Sequence, residues 1–238
     1  EQIRFLPNGT VTTAQGFQAG ATFAGMKTYA EDKLDLGILY STLPCTCAGV
    51  FTTSQIVSPS TRLTQEHVQR GSVRAVVANS GIANACVGEQ GRKDAQAVVR
   101  LAAAKLGLPD EEVAFLSTGI IGVELPMALV RSALPRIQLS QSGGGAFAQA
   151  IMTTDTHSKE AAVAYDFGGR TVTIGGAAKG SGMIHPNMAT MRSVLATDAP
   201  VETTFLQDTL KYAADRSFNM ITVDGDSSTN DTLMILAN

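Results

Sequence analysis

Short runs of apolar and β-branched residues recur along the chain and predict β-strands. Many of these runs are bordered by Gly, Pro or Asp, which disfavour the interior of a strand and mark its ends. The predicted strands are Leu34–Tyr40, Gly49–Thr53, Val73–Ala78, Val113–Ser117, Ala161–Asp166, Thr171–Gly175, Ser193–Thr197 and Met220–Val223.

Alanine-rich segments with apolar residues at helical spacing alternate with these strands. The predicted helices are Arg92–Leu106, Pro126–Leu139, Ala146–Met152 and Val201–Ala214. The first helix should stop at Gly107 and Pro109, which are typical helix terminators. The last has Asp198 or Thr197 as a candidate N-cap, and Glu202 in its first turn suits the positive end of the helix dipole.

This alternation predicts a mixed α/β or α+β fold, and the pattern alone does not choose between the two. The apolar run Asn230–Leu236 is too short for its period to distinguish a helix from a strand. The length of 238 residues allows one large domain or two small ones. With 44% hydrophobic and 16% charged residues, the composition is that of a globular chain.

Charge and hydropathy exclude some classes of function. The formal net charge is −3, and the Lys and Arg residues are scattered rather than gathered in a basic stripe, which argues against nucleic acid as the main partner. The sequence contains no apolar run long enough to cross a bilayer, and its first residues lack a signal-peptide pattern. Because the first residue is not methionine, a lost targeting segment stays open.

The cysteines and histidines do not form a metal-binding pattern. Cys45 and Cys47 are one residue apart, whereas structural zinc sites use four ligands at wider spacing. None of His67, His157 and His185 lies in a metal-like pattern with a cysteine. Free, mostly buried thiols in a reducing cytoplasm are the expectation, with no metal.

The segment Lys179–Met191 combines a lysine, glycines, a proline and a threonine directly after a predicted strand. A threonine hydroxyl becomes a useful nucleophile when an adjacent amine removes its proton, and its own α-amine, with a pKa of roughly 7.7–8.0, suits that work once the preceding peptide bond is broken. The hypothesis is that the chain cuts itself between Ala189 and Thr190 and then uses Thr190 as a nucleophile. An ordinary turn threonine is the alternative.

The sequence Ser117-Thr118-Gly119 follows a predicted strand. A glycine there lets a backbone N–H approach a ligand closely, and the hydroxyl of Thr118 adds a second donor. A plain turn at the end of a strand is the alternative. Lys179 does not fit the phosphate-loop template, because it precedes its glycine and no hydroxyl residue follows it directly.

Several long segments resemble segments of the ornithine acetyltransferase family, also called glutamate N-acetyltransferase, and they occur in the same order along the sequence. They are Thr42–Thr53, Asn79–Cys86, Ser117–Gly122, Met152–Thr156, Lys179–Met191 and Asp224–Thr232. The resemblance spans nearly the whole sequence, whereas family members continue well past the position of Asn238. It implies a layered sandwich of β-sheets flanked by helices, in a self-processing enzyme with an amino-terminal nucleophile.

The resemblance also implies a reaction. An acetyl group would pass from N-acetyl-L-ornithine to Thr190 and then to L-glutamate, as in arginine biosynthesis, and some members also accept acetyl-CoA. The hydroxyl of Thr118 and the backbone N–H of Gly119 would form the oxyanion hole. Lys179 and Thr153, with Thr154 as the fallback, would bind the amino-acid substrate. His185 would be a structural or processing residue rather than the base.

Self-cleavage would give an α chain of residues 1–189 and a β chain that begins with residues 190–238. By resemblance, two α and two β chains assemble in the cytoplasm, with no cofactor beyond acetyl-CoA as a co-substrate. Two alternatives stay open: an amidase or aminopeptidase with the same nucleophile, in which water replaces glutamate, and a binding domain without catalysis.

Overall fold

The structure, a computed structural model, describes residues 3–183 and 192–238. Two β-sheets lie face to face, and the larger has the strand order β1-β7-β8-β9-β10-β4. Its strands are β1 (Arg4–Phe5), β4 (Thr46–Phe51), β7 (Lys159–Phe167), β8 (Arg170–Lys179), β9 (Arg192–Thr197) and β10 (Thr232–Ala237). Neighbouring strands in this sheet are antiparallel except β9 and β10, which run parallel.

The smaller sheet has the order β2-β3-β5-β6 and ends in a parallel pair, β5 and β6. Its strands are β2 (Phe17–Thr22), β3 (Leu36–Ser41), β5 (Ala75–Ile82) and β6 (Val113–Ile120). The helices are α1 (Pro59–Gln69), α2 (Gly88–Leu106), α3 (Met127–Ala133), α4 (Gly144–Ala150) and α5 (Thr203–Asp215).

Three apolar clusters define the layers. The cluster between the sheets joins residues such as Leu116 of β6 to Val194 of β9 and Met234 of β10. A second cluster packs the outer face of the smaller sheet against α2 and α3, and a third packs the larger sheet against α5. The order helices, sheet, sheet, helix confirms the mixed α/β layered sandwich.

Helix α1 covers the edge of the smaller sheet at β6. The Thr64 hydroxyl donates to the carbonyl of Phe115 and accepts from its N–H, both at 2.9 Å. His67 Nδ1 lies 2.8 Å from the carbonyl of Val113, so this nitrogen carries the donated hydrogen. These contacts satisfy backbone groups that an edge strand would leave unpaired, and they fix the strand that leads to Thr118.

Most predicted elements are present, and the helix Arg92–Leu106 does end at Gly107, which has a left-handed φ of 68°. The ambiguous run near the end of the sequence is a strand, β10, buried between β9 and β4. The strand predicted at Met220–Val223 is wrong, because a 3-10 turn at Phe218–Met220 leads into an exposed segment that pairs with no strand among residues 3–183 and 192–238.

Two further predictions need correction. The cap of α5 is Glu202, whose carboxylate accepts from the N–H groups of Thr204 and Phe205. The predicted caps Asp198 and Thr197 both lie too far before the first helical residue, Thr203, to serve. The carboxylate of Asp198 instead accepts from the N–H groups of Gln15 and Thr173. The helix predicted at Pro126–Leu139 stops at Ala133 and gives way to a 3-10 turn containing a proline, which lacks the N–H that a helix needs. Helix α1 and strands β1 and β2 were not predicted.

Candidate active site

A cavity of about 470 Å³ lies at one end of the sandwich, where strands from both sheets finish or begin. It contains most of the candidate site residues that the sequence indicated. The residues that line it include Gly81, Thr118, Gly119, Thr153, Thr154, Lys179, Arg192 and Asn230. A second cavity, of about 520 Å³, lies against β7 and β8 and includes none of these candidates, so the site is assigned to the first.

Gly119 occupies a position that only glycine can fill. Its φ is +136°, and a Cβ at this position would overlap the carbonyl group of Gly81. Gly81 is its direct partner in the parallel pair of β5 and β6, so the two backbones meet without side chains between them. The glycine predicted from sequence therefore has a geometric reason to be there, and it lies against the cavity.

Lys179 is the last residue of β8 and is almost fully buried, with 6% exposure. Burial, with a smaller contribution from the positive charge of Arg192, lowers the pKa of Lys179 to about 8, although Asp155 and Asp231 oppose this shift. Lys179 Nζ lies 3.3 Å from Thr118 Oγ1 and so joins the larger sheet to the smaller one. A buried ammonium of this kind suits a ligand that carries a carboxylate.

The bond to Lys179 leaves the Thr118 hydroxyl able to donate. An ammonium group has no lone pair, so Lys179 must donate and Thr118 must accept. The hydroxyl hydrogen of Thr118 is therefore not used in this bond. Thr118 is 4% exposed and borders the cavity, so its hydroxyl can donate to an anionic oxygen there.

The connection between α4 and β7 brings Thr153 and Thr154 to the same cavity. The hydroxyl of Thr154 lies 2.6 Å from the hydroxyl of Ser181, whereas the backbone N–H of Thr153 donates to Asp155 Oδ2 at 3.1 Å. Lys27 supports this connection by donating from Nζ to the carbonyl of Met152 at 2.7 Å.

Comparison with known proteins identifies the family of this chain. The profile of the ArgJ family covers residues 18–238. The chain belongs to the ArgJ family. The arginine biosynthesis bifunctional protein ArgJ of Dehalococcoides mccartyi is 50% identical over 236 residues, which are 99% of this chain. The chain spans 58% of the length of that relative. The family resemblance predicted from the motifs is thereby confirmed.

Two solved structures of this family share the fold. The crystal structure of ArgJ from Bacillus halodurans superposes with a TM-score of 0.75 at 38% identity, covering 80% of this chain and 98% of that chain. The ornithine acetyltransferase from Mycobacterium tuberculosis, solved with ornithine, gives a TM-score of 0.72 at 36% identity and covers 78% of this chain and 99% of that one.

Sequence reasoning missed three polar residues at this ArgJ site. Arg192 is the first residue of β9 and the direct partner of Lys179, so both side chains project from the same face. Burial lowers the pKa of Arg192 to about 10, and Asp231 opposes the shift. Asn230 Nδ2 donates to the carbonyls of Ala83 and Ser117 and so holds the ends of β5 and β6 together.

The third residue, Asp155, contacts both Thr153 and the residue after Lys179. The three residues were missed because each takes its role from contacts with distant parts of the sequence. The only available signal was the position of Asp155 and Asn230 within segments that resemble the ArgJ family.

The candidates Ala189, Thr190 and His185 lie outside the described residues. Lys179 and Arg192, which flank that part of the sequence, are paired directly across β8 and β9 and both border the cavity. The roles assigned to Thr118, Gly119, Thr153 and Lys179 stay predictions, although the four residues meet at one cavity.

Cys45, Cys47 and Cys86 are free thiols, the first two buried and the third exposed, and burial raises the pKa of Cys45 to about 11. No group of His, Cys, Asp and Glu suited to a metal occurs among residues 3–183 and 192–238. Over the same ranges, none of the helices has the length and apolar character needed to span a membrane.

Proposed function

We propose that this chain forms the acetyl-transfer site of a glutamate N-acetyltransferase. The enzyme would move an acetyl group from N-acetyl-L-ornithine to L-glutamate through Thr190. The observation that carries the proposal is the cavity in which Thr118 and Gly119 meet Lys179. Thr190 is separated by a single residue in sequence from Arg192, which lines the same cavity.

The first step would be self-cleavage. The Thr190 hydroxyl attacks the Ala189 carbonyl, the peptide bond shifts to an ester, and water opens the ester to leave a carboxylate on Ala189 and a free amine on Thr190. The coverage of the two solved ArgJ chains supports this division, since 80% of 238 residues is about 190 residues and almost all of each solved chain is matched. That is the length of residues 1–189, with residues 190–238 beginning the second chain.

Transfer would follow in two halves. The free amine of Thr190 takes the hydroxyl proton, and the oxygen attacks the acetyl carbonyl of N-acetylornithine. The Thr118 hydroxyl and the Gly119 N–H stabilise the negative oxygen that forms. Ornithine leaves as the amine after it gains the proton, and the amine of glutamate then attacks the acetyl-threonine to give N-acetylglutamate and restore Thr190.

Lys179 and Thr153 would hold the amino-acid substrate. The buried ammonium of Lys179 offers a charge to the carboxylate that ornithine and glutamate share, and the relative from Mycobacterium tuberculosis was solved with ornithine. Acetyl-CoA would be an alternative acetyl donor, and no other cofactor is required. Two α and two β chains of the precursor would form a cytoplasmic heterotetramer.

Mass spectrometry of the denatured full-length protein tests the cleavage. We expect one fragment that ends at Ala189 and another that begins at Thr190. Thr190→Ala should remain uncut and inactive, whereas Thr209→Ala, on the exposed side of α5, should be cut and active. Turnover by Thr190→Ala, or an uncut wild-type protein, would refute the proposed nucleophile.

The acceptor requires a separate assay. The full-length protein is incubated with N-acetylornithine, with and without glutamate, and released ornithine is measured. A transferase should release ornithine continuously only when glutamate is present. Continuous release that is indifferent to glutamate would instead identify the amidase alternative, in which water is the acceptor.

A further inference from the structure

Asp155 links two segments of the cavity that are far apart in sequence. Its side chain has 0% exposure, although it lies in the connection between α4 and β7. Oδ1 accepts from the N–H of Gly180 at 2.8 Å and from Lys159 Nζ at 2.5 Å. Oδ2 accepts from the N–H of Thr153 at 3.1 Å. One carboxylate therefore holds the backbone of Thr153 and the residue directly after Lys179.

We propose that Asp155 is a positioning residue that fixes Thr153 and Lys179 relative to each other and keeps Lys179 in the charged form that binds the substrate carboxylate. This inference rests on the proposed function, because it takes Lys179 and Thr153 as the substrate contacts. Asp155 itself need not touch the substrate, and its effect would pass through the two residues it holds.

The contacts of Asp155 require a carboxylate. Two oxygens accept from three donors, and an asparagine would replace one oxygen with an NH₂ group that cannot accept. Burial would raise the pKa of Asp155, but the hydrogen bonds from Lys159, Gly180 and Thr153 outweigh it and hold the pKa below its usual range. Asp155 is therefore ionised near neutral pH and supplies a fixed negative charge.

The charge on Lys179 depends on four groups that face it from different elements. Arg192 of β9 and Lys159 of β7 lower the pKa of Lys179, whereas Asp155 and Asp231 raise it. Since burial and these charges together bring the pKa of Lys179 to about 8, a change in any of them alters how much of Lys179 is charged near physiological pH. Asp155 and Lys159 form an ion pair, yet they act on Lys179 with opposite signs.

This opposition gives a test that separates positioning from ordinary stabilisation. We would measure the dissociation constant of ornithine by calorimetry from pH 6 to 10 in the full-length protein and in the variants Asp155→Asn and Lys159→Met. The affinity should fall as pH rises through the pKa of Lys179. Relative to wild type, the midpoint should move to lower pH in Asp155→Asn and to higher pH in Lys159→Met, because Asp155 raises and Lys159 lowers the pKa of Lys179.

The matched control is Asp166→Asn. Asp166 also pairs with a cation, Arg4, but on the exposed surface, where both side chains are about half exposed. Its replacement should leave the midpoint where the wild type has it. The ionisation of ornithine itself is the same in every sample and cancels from the comparison.

Three outcomes would overturn the inference. If the ion pair were only structural, both substitutions would weaken binding at all pH values without moving the midpoint, or would move it in the same direction. If Asp155→Asn does not fold, Lys159→Met decides alone, and an unmoved or lower midpoint refutes the inference. A wild-type protein that does not bind ornithine would refute the proposed substrate site as well, which distinguishes the two failures.

Discussion

Replacing Thr118 with valine would test the oxyanion hole directly. Valine has nearly the same shape as threonine and lacks only the hydroxyl. Thr118 is 4% exposed and its hydroxyl accepts a 3.3 Å hydrogen bond from Lys179, so the new methyl group would occupy the same buried space. Losing a hydrogen bond to a charged group costs about 1.5–3 kcal/mol of unfolding free energy. The folded protein should persist, because a domain is stable by about 5–15 kcal/mol.

The effect on catalysis should be larger than the effect on stability. A donor that meets the developing negative charge is worth about 2.7–4 kcal/mol, so kcat should fall by about 10²- to 10³-fold. The Michaelis constant should change little, because the bond strengthens mainly in the transition state. Thr118→Ser keeps the hydroxyl and should retain most of the wild-type kcat.

The assay is steady-state transfer from N-acetylornithine to glutamate by the full-length protein. Mass spectrometry first measures the cleaved fraction, so that kcat refers only to processed enzyme. If Thr118→Val stays uncut while Thr118→Ser is cut, we would infer that the Thr118 hydroxyl also acts as a hydrogen-bond donor in self-cleavage. A processed Thr118→Val enzyme with kcat within about fivefold of wild type would refute the role of this hydroxyl, because the expected loss is at least about 10²-fold.

Three further predictions concern stability, measured by urea unfolding. Gly119→Ala should lower the free energy of unfolding by about 2–5 kcal/mol, because the new Cβ combines a positive φ with an overlap on the neighbouring strand. Gly122→Ala is the control, since Gly122 also has a positive φ but open space around it, and it should cost about 1–2 kcal/mol. Equal losses in the two variants would contradict the close approach of Gly119 to Gly81. Thr64→Val should cost about 1–3 kcal/mol, because the N–H and the carbonyl of Phe115 both lose their hydrogen bond to the Thr64 hydroxyl. A loss near zero would show that the edge of β6 does not need these two hydrogen bonds. Glu202→Gln should be less stable than wild type above pH 4.5, because the two backbone hydrogen bonds that lower the pKa of Glu202 favour its charged carboxylate. The difference in stability should vanish as the pH falls through this lowered pKa. A difference independent of pH would contradict the capping role.

Local sequence patterns were sufficient to predict a structural feature when that feature depends on a single helix or strand. Gly119 could be identified because a glycine directly after a predicted strand indicates a close approach of the backbone, and the structure supplies Gly81 as that neighbour. The strand predicted at Met220–Val223 failed because β-branched residues form a strand only when another strand accepts their backbone hydrogen bonds.

Contacts between distant residues explain the rest. Asp198 looked like a helix cap, yet its carboxylate is occupied by Thr173, 25 residues earlier. Asp155 could not be recognised from sequence because its partner Gly180 is equally distant along the chain. Arg192 directly precedes the predicted strand Ser193–Thr197, and the pairing of β8 with β9 brings it opposite Lys179.

The candidate site residues come from both sheets, so their relative positions depend on the distance between the sheets. Thr118 and Gly119 end a strand that is held by Asn230 and by α1, whereas Lys179 and Thr153 are held to each other by Asp155. The hydrogen bond from Lys179 to Thr118 joins these two parts of the site. That bond is long for a charged donor, so it cannot itself set the distance between the sheets. The packed core between the sheets must set that distance, so the relative placement of Thr118, Gly119 and Lys179, on which their proposed roles depend, is a property of the whole sandwich.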